Sequence, residues 1–533
     1  MDDHAVTDVA DDAPPPRPGD ADDGDQTDDG RTLGRSSLVN LAGFAVYGVA
    51  NFALIVVVTR QLGEVGAGAF LTAIAVFNIA ARSSMAGTDL ALVRFTSRFL
   101  TRGRGAEVRH LYRVALVPVL VLSTAVGVAM VVLAEPLGRL LSSGGEGAGA
   151  PADQLATYLR VLGPFVPVAA AYQAIEGGSR GFGTMVPSVA VERLGRSVAL
   201  PVLMLVVLAA GGGVTAVGLT WAGPFAVALV PISLWTAVLV RRAERAVRDR
   251  ADRPAAIGRA DLRHRFWAFA LPRSFAGVFA LTILWVDALL LGALESTEAV
   301  GVYTAATRWL IVGNFAGNAV ALAFGPQIAS VLARGGPDDA RRLFQAATAW
   351  LVLLAWPAYL TAMVFAPYLV TAFGSGFGDG ASVIAITGVG FLLASAAGPI
   401  DMLLLMAGRS RLSLVNTGVA LATNIGANLL LIPHLGIQGA ALAWTLSLAV
   451  ANGLPAIQMW LLLRVQPLGA RSLRALALTT GVGVVLVLSR IALGATMAGL
   501  LVGVALGGVL LVVGVRQAPD RMGVADVLRR AAS

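Results

Sequence analysis

Arginine side chains lie inside segments that are otherwise apolar, and they are the residues of this chain most suited to binding chemistry. Arg82 and Arg308 lie well inside long apolar runs, and Arg273 follows Pro272 early in another. A charged side chain at that depth in a membrane costs several kcal/mol, so it usually faces a cavity or a partner. A guanidinium group donates two parallel hydrogen bonds to a phosphate or carboxylate. The pattern therefore predicts contact with an anionic group.

Four further arginines lie nearer the ends of apolar segments, namely Arg94, Arg180, Arg193 and Arg196. Each could bind an anion, but a long side chain near the membrane surface could equally extend to the lipid headgroups. We favour the headgroup interpretation for the first three. Arg196 follows Glu192 by four residues on a predicted helix, so a structural ion pair and a binding role both stay open.

Acidic residues form a second set of candidates. Glu176 and Asp401 each precede a glycine by seven residues, at matching places in the two parts of the chain. They are gating or cation-coupling residues or, as we favour, solvated helix ends that pair with a nearby arginine. Asp287 lies deep in an apolar run and is a candidate for ion coupling, although we expect it to neutralise Arg308 or Arg273.

Apolar helices of membrane-spanning length must carry these residues. Of 533 residues, 56% are hydrophobic and 14% are charged, and the mean hydropathy is +0.75. No cysteine and only four scattered histidines occur, so we expect no metal, thiol chemistry or cofactor. The net charge of +8 comes from arginines that lie mostly between the spans, so we interpret it as a topological signal and expect no nucleic-acid partner.

Hydrophobic windows predict about fourteen transmembrane helices in an all-α polytopic membrane protein. The predicted spans cover residues 36–59, 66–95, 114–134, 157–179, 187–209, 214–240, 266–291, 299–325, 344–373, 381–406, 412–432, 436–463, 472–491 and 494–515. Most connections that follow even-numbered spans are rich in arginine, whereas those that follow odd-numbered spans are not. The positive-inside rule therefore places both termini in the cytoplasm.

The chain divides into two repeated parts. The sequence GVTAVGLTW at Gly213 matches GIQGAALAW at Gly436, and Gly68-Ala-Phe70 matches Gly301-Val-Tyr303. We predict six-helix bundles over 36–240 and 266–463, related as parallel repeats, as is typical of transporters. Residues 1–35 form an acidic tail, which we predict to be disordered and not to be a signal peptide. The other predicted regions are a basic cytoplasmic loop over 241–265, two additional helices over 464–515 and a cytoplasmic tail over 516–533.

Several segments resemble the polysaccharide transporter (Wzx-type oligosaccharide flippase) branch of the MOP flippase superfamily, which also includes lipid II flippases and MATE exporters. The segments that carry the resemblance are Val286-Asp287 to Leu291-Gly292, Gly301 to Arg308, Ala407-Gly408-Arg409, Asn424 with Asn428, and Ile432-Pro433. We expect the two asparagines to hydrogen-bond between helices. The resemblance covers about residues 36 to 515.

The resemblance implies that the chain moves a polyprenyl-pyrophosphate-linked oligosaccharide across the cytoplasmic membrane by alternating access, for cell-surface polysaccharide biosynthesis. The sugar and pyrophosphate would cross through a central cavity while the lipid tail stays in the bilayer. The intramembrane arginines would then contact the pyrophosphate. The partners implied are this lipid-linked glycan, membrane lipid, and the polymerase and glycosyltransferases of the same pathway.

Other functions stay open to different degrees. A lipid II substrate fits the same fold, whereas a MATE-type exporter of cationic drugs would need an acidic cavity. A membrane glycosyltransferase, ligase or polymerase would normally carry a long extracytoplasmic loop with catalytic side chains, and the longest such connection here, near 135–156, is short. A twofold repeat suits two rocking halves better than a channel. We therefore expect a transporter and not an enzyme.

Overall fold

The computed structural model describes residues 23–142, 149–248, 257–333, 337–406 and 409–517, and within them it contains helices and no strand. The helices up to the central loop are α1 (Asp23–Ser84), α2 (Thr88–Thr101), α3 (Val108–Val132), α4 (Ala134–Leu140), α5 (Gly149–Leu162), α6 (Val166–Ser179), α7 (Val186–Ser188), α8 (Ser197–Ala209) and α9 (Val214–Arg248). Those that follow are α10 (Arg259–Leu294), α11 (Thr297–Thr307), α12 (Val312–Ala333), α13 (Pro337–Val364), α14 (Ala366–Leu369), α15 (Gly380–Ala396), α16 (Ile400–Met406), α17 (Ser410–Leu463), α18 (Ala470–Leu493) and α19 (Met497–Arg516). The predicted all-α fold class is confirmed.

Nine helices in the described ranges are long and apolar enough to cross a membrane, or ten if the bent α10 counts as one span. Two of them are about twice the necessary length: Val46–Thr101 has 56 residues and Arg411–Leu462 has 52. Each contains a glycine with positive φ, Gly63 at 67° and Gly436 at 54°, where the helix cannot continue. Each of these runs therefore makes two passes.

Two predicted spans are not among these nine or ten helices, because their helices are interrupted. A π-helix at Val189–Arg196 interrupts the fifth span, and a 3₁₀ turn at Arg308–Ile311 interrupts the eighth. With these included, a helical segment occupies each of the fourteen predicted positions. Interruptions of this kind are frequent at functional sites, and both contain an arginine that the sequence singled out.

The N-terminal tail differs from the prediction over part of its length. Residues 1–22 lie outside the described residues, but residues 23–35, which we predicted to be disordered, continue α1 as helix. Extending an existing helix does not repeat the cost of nucleation.

Each repeated part has its own apolar core, and the cores meet. One buried cluster runs from Leu54 to Ile232 and the other from Ala288 to Leu486. The first also includes Val302 and Phe373 of the second part, so the halves share buried surface. Beyond them, α18 packs on α13, and α19 packs on α18 through the buried glycines Gly499 and Gly503.

The repeated halves touch through their matching glycines. A Cβ atom added to Gly68 would lie 1.8 Å from the Thr297 carbonyl oxygen, and one added to Gly301 would lie 2.3 Å from the Glu64 carbonyl oxygen. Gly68 follows Glu64 by four residues, and Gly301 follows Thr297 by four. Each half therefore makes the same contact with the other. Only glycine allows this approach, and the predicted repeat therefore appears as a local twofold contact between α1 and α11.

Candidate functional site

Arg308 lies in the 3₁₀ turn between α11 and α12, with its guanidinium carbon 5.9 Å from the centre of the Trp285 ring. Its Nε is buried and has no hydrogen-bond acceptor among the described residues. The 3₁₀ turn forms where α11 ends, so the arginine sits at an interruption of the membrane helix. A buried donor without an acceptor is costly, which makes the half-buried Arg308 a candidate for contact with an anionic ligand.

Tyr47 connects Arg308 with the first half. Its hydroxyl lies within electrostatic reach of both Arg308 and Arg196, although the three residues come from three separate helices. Tyr47 is 38% exposed, so the rest of the protein covers its side chain only in part. We did not single out Tyr47 or Trp285 from the sequence. The available signal was an aromatic residue with a polar group on an otherwise apolar span.

Arg196 forms an ion pair inside the first half. Its Nε donates to Glu192 at 2.8 Å, its Nη2 donates to the other carboxylate oxygen, and its guanidinium lies 4.3 Å from the centre of the Phe225 ring. The Tyr172 hydroxyl donates to the same carboxylate at 2.7 Å. The structural ion pair that the spacing allowed is therefore present, on the π-helix of the fifth span.

Glu176 and Asp401 have matching partners twelve residues further along the chain. Ser188 donates to Glu176, and Ser413 donates to Asp401 at 2.7 Å. Glu176 also lies 4.0 Å from Arg180, which fits the arginine pairing that we favoured. Asp401 has a serine and no arginine partner among the described residues, so for this residue the favoured pairing is wrong. The position that matches Arg180 in the second half is a leucine.

Arg82 is less deeply enclosed than its position in the sequence suggested. It occupies the last turn of α1, just before a helix break at 85–87, and its side chain is 53% exposed. Its Nη1 lies 3.7 Å from Asp89, which is its ion-pair partner in the structure. The break lies against α10, because a Cβ added to Gly87 would meet the Ala270 carbonyl oxygen at 2.4 Å.

Arg94 and Arg273 approach the same aromatic ring from different halves. Their guanidinium carbons lie 4.3 Å and 5.6 Å from the centre of the Phe269 ring. Both side chains are exposed, and neither forms an ion pair within the described residues. Two cationic groups on one ring leave hydrogen-bond donors free for an anion.

Asp287 is fully buried, but its partners are neutral. Tyr303 donates to one carboxylate oxygen at 2.8 Å and Asn428 donates to the other at 2.7 Å. The expected pairing with Arg308 or Arg273 is wrong: among the described residues Asp287 forms no ion pair. Arg273 is fourteen residues away on the same helix, about 21 Å along its axis.

Helix geometry explains why Asp287 misses Arg308 as well. Trp285, near Arg308, precedes Asp287 by two residues, and positions two apart point to nearly opposite faces of a helix. Asp287 consequently faces α17, where Asn424 and Asn428 lie, as we expected of interhelical hydrogen bonds. The Asn424 amide nitrogen and the Asn428 amide oxygen lack partners within the described structure.

A cavity lies beside the glycine contact. It has a volume of about 680 Å³ and is lined by Arg60, Glu64 and the glycine-rich segment 374–378. Arg60 donates through Nε to the Ala372 carbonyl oxygen at 2.7 Å, and the Glu64 carboxyl hydrogen-bonds that of Glu298. These contacts join the halves on the side that the arginine distribution predicts to be extracytoplasmic.

Comparison with known proteins supports this fold. The MatE family model matches residues 41–205, and no curated protein matches the sequence. A structure described as the lipid II flippase MurJ in an inward closed conformation superposes with a TM-score of 0.67 at 10% identity, covering 91% of this chain and 99% of that one. These values establish similarity of fold.

Two MATE structures are also similar. An inward-facing multidrug resistance MATE transporter of the MOP superfamily gives a TM-score of 0.59 at 16% identity, covering 78% of this chain and 94% of that one. A mutant of the Vibrio cholerae MATE transporter VcmN gives 0.54 at 16% identity, covering 82% and 97%. The chain is thus a multi-pass membrane protein with the fold of MOP superfamily transporters.

Proposed function

We propose that this protein is a flippase of the MOP superfamily that moves a lipid-linked oligosaccharide with a pyrophosphate group across the cytoplasmic membrane. The single observation that carries the proposal is Arg308, a half-buried arginine whose buried Nε has no acceptor and which has no anionic partner within the described residues. Tyr47 lies within electrostatic reach of Arg308 and of Arg196, and further arginines occur toward the predicted cytoplasmic side. A pyrophosphate supplies the charge that these groups lack.

The proposed mechanism is alternating access of the two halves. The glycine contact between α1 and α11 closes one side, and separation of Gly68 from Thr297 would open it. The pyrophosphate would bind Arg308 between the halves, with Arg82, Arg94 and Arg273 guiding it from the cytoplasmic side. Arg180 and Arg196 would act mainly by holding Glu176 and Glu192. No covalent bond changes, and the lipid tail stays in the bilayer.

Energy coupling is proposed to involve Asp287. A buried carboxyl with only neutral donors can accept a proton or a monovalent cation without displacing an arginine. The unpaired amide oxygen of Asn428 lies beside it. Glu176 and Asp401 are proposed gating residues, because their serine bonds occupy matching places in the two halves.

A lipid II flippase is the second candidate, because the MurJ structure aligns over more of this chain than the MATE structures do. A MATE-type exporter of cations is less consistent with an unpaired arginine near the contact between the halves. We also propose that both termini are cytoplasmic, that the bundles cover 36–240 and 266–463, and that glycan polymerase and glycosyltransferase enzymes are partners.

Reconstituted protein can separate these functions. Proteoliposomes would receive a fluorescent polyprenyl-pyrophosphate oligosaccharide, lipid II or a cationic dye, and the fraction that becomes accessible on the other side would be measured. We expect protein-dependent flipping of the oligosaccharide lipid. Flipping of lipid II alone would select the second candidate, and transport of the dye alone would contradict the proposal.

A further inference from the structure

A separate basic cavity lies where the end of α2 meets the start of α10. Its volume is about 320 Å³, at the lower end of the range for small-molecule sites. Its lining has one carboxylate, Asp261, and four guanidinium groups, those of Arg98, Arg102, Arg104 and Arg265. The apolar part of its wall consists of Phe95, Phe99, Ile257 and Leu262.

The charges within this cavity do not cancel. Arg104 pairs with Glu107 at 3.2 Å, and Arg265 donates to Asp261 at 2.8 Å. Neither Arg98 nor Arg102 forms an ion pair in the part of the chain that the structure describes. Two uncompensated guanidinium groups in one concave site repel each other and raise the local concentration of anions.

The cavity also combines charge with apolar surface. Phe95 and Phe99 lie one turn apart on α2, with their ring centres 6.3 Å apart, and Phe95 also contacts Phe266. The arginines Arg98 and Arg102 follow on the same helix, at the predicted cytoplasmic end of the second span. A ligand for this site would carry an anionic group and an apolar group, at the depth of the lipid headgroups.

A simple excess of arginine on the cytoplasmic side does not explain this arrangement. Positive-inside residues need only lie on the correct side of the membrane, as do Arg242 and Arg245, which are exposed on α9 outside this cavity. Here, in contrast, residues of α2 and residues at the start of α10 enclose one space.

We infer that this cavity binds the phosphate of an anionic phospholipid at the cytoplasmic membrane surface. Arg98 and Arg102 contact the phosphate, and Phe95 and Phe99 contact the adjoining apolar part of the lipid. Because α2 belongs to the first half and α10 leads into the second, the bound lipid links the two halves on this side. The inference is independent of which substrate the protein transports.

Thermal unfolding of the full chain in detergent tests this inference. A lipid that binds the folded state raises the unfolding midpoint in a saturable way, and the titration yields an apparent Kd. We expect phosphatidylglycerol, but not phosphatidylcholine, to produce this shift. The double variant R98Q/R102Q should weaken phosphatidylglycerol binding about tenfold or more, since each arginine at an anionic surface contributes about 1 kcal/mol.

Matched variants make the result specific. R242Q/R245Q removes the same charge from the same predicted side and should leave the Kd within about twofold. R98K/R102K keeps the charge and should retain most of the binding, which also provides a test if the glutamine variant does not fold. Equal weakening in both glutamine variants, or no weakening in either, overturns the inference. A shift with polyprenyl pyrophosphate but not with phosphatidylglycerol also overturns it, because the cavity would then serve the transport substrate.

Discussion

The two halves of this protein bury polar networks of opposite character. In the first half, Glu192 is paired with Arg196, so the network is electrically neutral. In the second half, Asp287 receives hydrogen bonds from the neutral groups of Tyr303 and Asn428 and forms no ion pair within the described residues. Nearby, Arg308 has no carboxylate partner within the described residues.

Matching positions show that the networks are not copies of each other. The residue that matches Tyr303 is Phe70, which has no hydroxyl group. Glu192 and Arg196 can be compared with the second half by applying the same offset that relates Glu176 to Asp401. The residues at the matching positions are a threonine and a leucine. A shared fold thus carries a self-neutralised network in one half and uncompensated groups in the other. The first stabilises structure, and we propose that the second binds ligands.

Removing the charge of Glu192 should have the largest effect on stability. Glu192→Gln leaves a buried Arg196 guanidinium without its counter-ion, which costs about 3–5 kcal/mol in the folded state. We expect a clearly lower midpoint of thermal unfolding in detergent and less protein in membranes. The double change Glu192→Leu with Arg196→Leu should recover most of the loss. Wild-type stability of the single variant would show that the first network is not structural.

Adding one methyl group at the contact between the halves should have the next largest effect. In Gly68→Ala the new Cβ would collide with the Thr297 carbonyl oxygen, and such overpacking costs about 1–3 kcal/mol. We expect the halves to separate there, so a cysteine introduced at buried Val302 in this cysteine-free chain should react faster with an impermeant thiol reagent. Gly223→Ala, with open space around its Cβ, is the control. Equal reactivity of the cysteine in Gly68→Ala and Gly223→Ala would show that the glycine contact does not hold the halves together.

Neutralising Asp287 should change stability little. Asp287→Asn keeps the size of the side chain and can still bond Tyr303 and Asn428, so we expect a loss below about 1.5 kcal/mol. Flipping driven by an imposed proton or sodium gradient should disappear, whereas downhill flipping should continue. A gradient response equal to that of the wild type would remove Asp287 from the coupling proposal.

The smallest predicted effect concerns pH at the contact between the halves. The Glu64 and Glu298 carboxyls can hydrogen-bond each other only when one is protonated, and Asp379 adds negative charge nearby. Rising pH removes the shared proton and sets like charges against each other, so the contact should weaken as pH rises. Arg60 bonds to backbone carbonyl groups and does not neutralise the pair. The rate at which a cysteine at Val302 reacts, divided by its rate in Glu64→Gln at the same pH, should rise from pH 4 to pH 7, because this ratio removes the ionisation of the thiol itself. A ratio that does not change with pH would contradict the role of the carboxyl pair.

The sequence predicted the helices and the repeat, because apolar run length and glycine spacing are local properties. It also placed Arg308 inside the membrane fold. It could not predict that Asp287 faces α17 rather than Arg308, since each residue rotates a helical side chain by about 100° and helix rotation depends on tertiary packing. For the same reason the enclosure of Arg82 was overestimated, and Tyr47, which lies within electrostatic reach of two arginines, was missed.

Flipping by Arg308 variants tests the central proposal most directly. The measurement is the rate at which a fluorescent polyprenyl-pyrophosphate oligosaccharide crosses proteoliposome membranes, per unit of folded protein. Loss of a charge-assisted interaction of about 1.5–3 kcal/mol predicts a decrease of about tenfold or more for Arg308→Gln. Arg308→Lys should recover part of the rate, Arg82→Gln should lose less, and Arg242→Gln should resemble the wild type. A wild-type rate in Arg308→Gln would contradict the assignment of this arginine to the anionic substrate.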